Sequence, residues 1–143
     1  MLEQNVSKYD FRGYRLLKGT FNRVKDKPIT SFSLFSQKGV YNEENKIFEL
    51  ISEITVTFGD EVNVFVFSAG FKINDLEWYE VMAEQTIINE LFRQVYPFLR
   101  EKVCQFTADF RPGFMLPVID CQKFDLTKKV VFNLNKVEPP LAN

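Results

Sequence analysis

The side chains able to hold or move a charge form a short list in these 143 residues. There is no histidine. That removes Ser–His and Cys–His dyads, every His-containing metal site and the commonest general base at neutral pH. The only cysteines are Cys104 and Cys121. Two thiols fall short of a four-cysteine zinc site and of a disulfide framework, so a reduced compartment is the simplest reading. Cys104 falls on a helical stretch and reads as a packed thiol, and Cys121 has no base to activate it. The carboxylate pairs Asp60/Glu61 and Glu43/Glu44 lie in turns. No apolar wall brackets them for glycosidase-type acid/base work, so they read as solvated. Lys128-Lys129 is a short basic step in a chain of net charge -1 and pI about 5.6. The basic excess that phosphate neutralisation requires is missing, and so is a Gly-rich phosphate loop. The expectation is a protein that is not an enzyme, with no cofactor, no metal and no nucleic-acid partner.

One constellation remains. The chain carries 16 phenylalanines, five tyrosines and one tryptophan. The run Phe110-Arg111-Pro112-Gly113-Phe114-Met115-Leu116-Pro117-Val118-Ile119 is apolar, punctuated by prolines and without helical period. A loop this apolar packs onto something. Read blandly, it covers the core. Read sharply, it walls an apolar groove, where a flexible, polarizable Met and adaptable aromatic faces accept many side chains. Exposed grooves of that kind mark protein-binding sites. A small-molecule carrier or enzyme built on an apolar cavity would need converging polar groups that the sequence does not supply.

The elements that must position this loop are legible to different degrees. At about 150 residues per domain the chain reads as one domain, 1–143, with residues 1–10 and 137–143 loose. Residues 11–24 read as a first strand, with Gly13 and Gly19 marking a bulge or bend. Residues 25–45 are mixed. Asp26-Lys27-Pro28 is a turn, Ser31–Phe35 a short strand, and Lys38-Gly39 and residues 42–45 loop. Residues 46–58 read as a long strand by their alternation. Phe48, Leu50, Ile54, Val56 and Phe58 share one face, and Ile47, Glu49, Ile51, Glu53, Thr55 and Thr57 the other. Gly59-Asp60 turns the chain. Residues 61–73 return with both faces apolar, which implies a strand covered twice or a face that meets another subunit.

Asn74-Asp75 caps a short link through Leu76, Trp78, Tyr79 and Met82. Residues 83–107 carry the clearest helix, with Ile88, Leu91, Phe92, Val95, Leu99, Val103 and Phe106 at helical spacing. Pro97 predicts a kink near residues 93–97. Ile87, Tyr96 and Phe98 lie off the stripe and suggest a second apolar face. Residues 127–136 fit a strand or a second helix. No run of 18 apolar residues is present and the start lacks a signal-peptide pattern, so a cytoplasmic location is expected. Asn5-Val6-Ser7 matches a glycosylation sequon that has no use without export.

In this order the elements resemble the SecB protein-export chaperone family. The segment Phe48 to Glu61 resembles its long second strand and turn, including Thr55-Val56-Thr57. The segment Leu91 to Glu101 is similar to its proline-kinked long helix. The segment Phe110 to Val118 resembles its proline-bounded crossover loop. The likeness covers roughly residues 9–126. It implies an α+β fold, a four-stranded antiparallel sheet with a long Pro-kinked helix and a second C-terminal element packed on one face. It also implies a homotetramer, a dimer of dimers, with Ile88, Phe92, Val95, Tyr96 and Leu99 of the long helix at the interface. The implied function is an ATP-independent holdase, keeping clients unfolded by binding only the unfolded state. Phe110, Phe114, Met115, Leu116 and Val118 would line its client groove, with Phe124 beside it. Expected partners are unfolded polypeptides, with a SecA-like motor in protein transport or an antitoxin guarded by a SecB-like relative. The alternative is an interaction module for one dedicated protein.

The chain departs from the family pattern in three places. It is near neutral where members are acidic. Phe67 stands about where a motor-docking carboxylate is expected, and Pro139-Pro140-Leu141-Ala142-Asn143 does not match the tail that meets the motor's zinc site.

Overall fold

The computed structural model describes residues 7–20, 29–108, 116–117, 119–120 and 123–134. Its elements follow in the order β1 (Tyr9–Gly19), β2 (Ile29–Asn42), β3 (Ile47–Phe58), β4 (Glu61–Ile73), α1 (Leu76–Val81), α2 (Glu84–Ala108) and β5 (Val130–Asn133). The five strands make one sheet in the order β1-β4-β3-β2-β5. Every pairing is antiparallel.

The β3–β4 hairpin is the centre of the fold. Phe58 pairs with Glu61 across Gly59-Asp60, and Gly59 takes the left-handed φ of 63° that the tight turn needs. The register then sets Phe48 against Phe71, Leu50 against Ala69 and Ile54 against Phe65. Directly paired residues point to the same face, so one face of the hairpin is nearly all apolar. Those six side chains are at most 1% exposed. The β2–β3 turn rests on local polar bonds. Asn42 Oδ1 accepts from the amides of Glu44 and Asn45 at 2.9 and 3.3 Å, and Lys46 sits at φ 63°.

Asp75 caps α1, its carboxylate accepting from the Trp78 amide at 3.0 Å. The helix α2 then lies across the apolar face. Ile87, Ile88, Leu91, Phe92, Val95, Tyr96, Leu99 and Val103 are all buried, and Phe106 stacks on Phe65 at 5.8 Å. The alternation of β3 and β4, the turn between them, the cap and the long helix all stand as the sequence implies.

Four expectations change. The mixed segment 25–45 contains a 14-residue strand, β2, because its inward positions Phe32, Leu34 and Ser36 find buried partners on β3. The C-terminal element is neither a helix nor packed on a face. Residues 130–133 extend the sheet, pairing with Ser31–Leu34, so the sheet has five strands and not four. Two of its side chains, Val130 and Phe132, turn inward beside Leu34 and Phe32. Phe67 does not stand on the outer face; it is 1% exposed and packs toward the helices against Tyr14. Tyr96 and Ile87 do not form a second helix face, since both join the core and only Phe98 stays outside it. The expected turn at Asp26–Pro28 lies outside the described residues, as do residues 21–24 of the first strand. Pro97 lies inside one continuous helical element.

This packing can be probed at two aromatic side chains. Phe71 is fully buried between Tyr9 and Phe11, with ring centroids at 5.8 and 5.4 Å. Phe71→Ala should cost about 3–5 kcal/mol of unfolding free energy in urea titration, whereas Val40→Ala, on the solvent side, should cost under about 0.5 kcal/mol. Burial, and next the Glu90 carboxylate, push the Tyr9 phenol above its ordinary range. The folded state therefore holds that proton more tightly than the unfolded chain. Its contribution is fully present below the ordinary tyrosine pKa of about 10 and is lost as pH rises beyond it. Thermal melts of Tyr9→Phe should decline less steeply than wild type above about pH 10.

Candidate protein-binding surface

Of the groove residues implied by the sequence, Phe110, Phe114, Met115 and Val118 lie outside the described residues. Leu116 is fully buried, so it serves the core and is not open to a client. Its backbone is stapled to α2. The Leu116 amide donates to Cys104 Sγ at 3.5 Å, and Arg100 Nε donates to the Leu116 carbonyl at 2.5 Å. The Tyr96 hydroxyl donates to the Pro117 carbonyl at 3.0 Å. Phe124 is half-buried and sets its edge on Phe132 at 5.1 Å, which stacks on Phe32 at 4.8 Å. Beyond it, the Leu126 amide donates to Asn89 Oδ1 at 2.9 Å and the Leu126 carbonyl accepts from the Ser36 amide at 2.7 Å. The described residues 116–117 and 126 are thus tied to α2 and to the edge of β2 by specific bonds.

The helix stripe meets a similar fate. Ile88, Phe92, Val95, Tyr96 and Leu99 are 0–3% exposed within a single copy. The same apolarity that suggested a subunit interface covers this chain's own sheet. An assembly through α2 would have to use its other faces.

The open apolar surface lies elsewhere. Two adjoining hollows of about 290 and 340 Å³ sit where β2 passes α1, and both are bordered by Lys38, Tyr79 and Glu80. Tyr41 and Tyr79 stack there at 4.6 Å, Phe48 meets Tyr79 edge-on at 5.9 Å, and Lys38 Nζ lies 6.0 Å from the Tyr79 ring. Leu76 and Met82 stand on the rim, 37% and 42% exposed. Burial, followed by Tyr79 and the acids Glu43 and Glu80, raises the Tyr41 phenol, which stays a neutral donor at physiological pH. The arrangement is an aromatic floor with a charged rim, able to seat an apolar side chain while the rim holds backbone polar groups.

The adjoining backbone is also suited to binding. β5 pairs with β2 only over Ser31–Leu34, and Leu126 adds one bond at Ser36. Among the described residues, β2 from Gln37 to Asn42 has β3 as its only strand neighbour. An exposed edge of that kind can take an added extended segment. A second apolar patch lies at the opposite edge, where Phe98, 47% exposed, stacks on Phe11 at 5.4 Å.

Sequence reasoning leaves Tyr41 in a mixed segment and treats Leu76, Trp78, Tyr79 and Met82 as a linker. The signal available is the cluster of large apolar residues just after a helix cap. Its pairing with residue 41 depends on strand register, which no local pattern encodes.

Neither a protein-family profile nor a curated protein matches this sequence. Solved structures do match. The Mycobacterium tuberculosis SecB-like chaperone Rv1957, solved in complex with a ChAD peptide from the HigA1 antitoxin, aligns with a TM-score of 0.57 at 16% identity. The alignment covers 79% of this chain and 91% of that one. A Streptococcus agalactiae protein of unknown function aligns over 77% of this chain and 97% of its own, with a TM-score of 0.45 and 15% identity. The first alignment shows that the fold is SecB-like. Among the described residues, no helix is long and apolar enough to cross a membrane.

The bonds holding residues 116–117 to α2 generate a test. In a double variant Tyr96→Phe, Arg100→Ala two of them are lost, at about 1 kcal/mol each. Hydrogen exchange at the Leu116 amide should accelerate roughly ten- to thirty-fold, with exchange in β3 unchanged.

Proposed function

We propose that this protein is an ATP-independent chaperone of the SecB-like type that binds non-native polypeptide segments on apolar surface. The reading assigns it no catalysis and no cofactor. The observation that carries it is the coincidence of a SecB-like fold with an aromatic double hollow beside a stretch of β2 whose outer edge carries no strand among the described residues. An extended segment laid along Gln37–Asn42 would gain main-chain hydrogen bonds and set alternate side chains over Tyr41, Tyr79 and Met82. A ligand held this way is recognised by being extended and apolar, which unfolded chains are and folded proteins are not. Binding only that state keeps a client unfolded by mass action, without nucleotide.

A narrower reading is a dedicated chaperone for one partner. The antitoxin peptide bound by the mycobacterial structure favours it, and an antitoxin is then the partner class to try first. Export clients remain the partner class for the broad reading, with a cytoplasmic working place in both cases. A SecA-like motor is a weaker proposal, since the near-neutral charge departs from the acidic family pattern.

The two readings separate in one assay. Several unrelated denatured proteins are diluted into buffer with and without this protein, without nucleotide, and light scattering is followed. General suppression is the expected result. A folded Leu76→Ser, Met82→Ser variant should need a several-fold higher concentration for the same effect. No suppression at a several-fold excess would sink the general holdase and leave the dedicated reading, to be tested by titration with candidate antitoxin peptides. Full suppression by the variant would move the client surface away from the double hollow.

A further inference from the structure

The sheet face turned away from α1 and α2 carries a charge pattern that is complementary to itself. The register places three residues in one row across it, Lys18 on β1, Val66 on β4 and Glu53 on β3. The next row toward Ile73 has Arg15, Ser68 and Ile51. In the row after that, Gly70 pairs with Glu49, and a Cβ at Gly70 would lie 3.8 Å from the Arg12 Cβ. Over these three rows cations therefore run along β1, small and apolar residues along β4, and carboxylates along β3; the row beyond them, Asp10, Lys72 and Ile47, departs from the pattern and lies far from Val66. Arg12, Arg15 and Lys18 are exposed, and Val64, Val66, Ile51 and Glu53 remain half-buried in the single copy. No described element lies over this face.

We propose that this face is a self-association surface on which two copies pack sheet against sheet about a two-fold axis running along β4. A half-turn about that axis keeps each row at its own level and exchanges the two flanks. Val66 and Val64 then meet their own counterparts. Lys18 comes to face the partner's Glu53, and Arg12 the partner's Glu49. Each charge pair occurs twice, as isologous contacts must. Sheets pack about 10 Å apart, a gap that a Lys and a Glu reaching toward each other can span. Aligned sheets cross at about -30°, so rows close to the axis crossing keep their register best. Val66 is the natural crossing point, which makes Lys18–Glu53 the decisive pair. Glu49 is held in place by Ser68 Oγ, which donates to it at 2.7 Å, and by the Val40 amide at 3.2 Å.

The face is small. At about 4.8 Å between strands and 3.3 Å per residue, three to four strands over six residues cover roughly 300–400 Å² per copy. A stable interface takes about 800 Å² per partner. The association is therefore weak, and salt weakens it further, because its charges lie at a solvated rim.

Sedimentation velocity on the full chain, at protein concentrations from about 10 to about 500 µM and at low salt, tests it. Wild type should shift to larger species as concentration rises, and the shift should shrink at about 0.5 M salt. Lys18→Glu and Glu53→Lys, each folded by circular dichroism, should each lose this step, because like charges then face each other twice. An equimolar mixture of the two variants should regain it. In the mixed pair the carboxylate introduced at position 18 of one copy faces the ammonium introduced at position 53 of the other, and the native Lys18 and Glu53 face each other as before. A Lys18–Glu53 contact within one chain would give no such recovery on mixing. If copies also join through another surface, the variants should halve the assembly rather than abolish it. Concentration-independent wild type, variants that associate normally, or a mixture that stays apart would each overturn the proposal.

Discussion

The structure depends on burying one face of a sheet under one helix. The inward positions of β3 and β4, from Phe48 to Phe58 and from Phe65 to Ile73, are almost all apolar, and the large side chains among them are inaccessible to solvent. A sheet face of this kind has no stability without cover. The eight apolar residues that α2 turns toward it supply that cover, which is why the helix stripe has nothing left for a second copy. Every other feature follows from that allocation. Leu116 and Leu126 close the gap between helix and sheet edge, and Val130 and Phe132 lengthen the covered face by one short strand.

What the core does not use becomes surface open to partners. The double hollow by Tyr41 and Tyr79 lies beside the six-residue α1, with Leu76, Tyr79 and Met82 bordering it. Among the described residues the β2 edge carries no strand there, because β5 begins only at Val130, opposite Leu34. A longer β5 would have closed the edge and removed the main-chain groups that an extended ligand needs. The other side of the sheet has a different character. It is half apolar, its central rows carry cations on β1 and carboxylates on β3, and it suits a flat, weak and specific contact more than capture of varied segments. The two surfaces lie on opposite sides of the sheet, so the proposed client binding and the proposed self-association would not compete for the same residues.

Much of this is legible in the residues themselves, for physical reasons. The alternation in 47–58, broken only by Ile47, Ile51 and Ser52, marks a strand with one buried face. The Gly59-Asp60 pair can only be a tight return, and a 3.6-residue apolar period across 84–107 is an amphipathic helix. Asp75 three residues before Trp78 announces a cap. The missing histidine and the near-zero net charge narrow the function classes on composition alone. These signals are local, so the sequence by itself determined them.

Tertiary structure decided the rest, because it depends on contacts between distant residues. Whether the α2 stripe faces its own sheet or another copy cannot be read from periodicity, since both burials want the same residues. Phe67 looked like an outer-face residue and is an inner one, because its direction depends on register with Ser52 and Leu16. Residues 130–133 were equally good as helix or strand until the free edge at Ser31–Leu34 offered hydrogen bonds to a strand alone. Leu116 looked like groove wall and is buried in the core, its carbonyl accepting from Arg100 and its amide donating to Cys104 Sγ on α2. Tyr41 and Tyr79, 38 positions apart in the chain, meet as one stacked pair only after the sheet and α1 have been assembled. The chain's own composition limits what this protein can do. Where it does it is set by which faces the fold leaves uncovered.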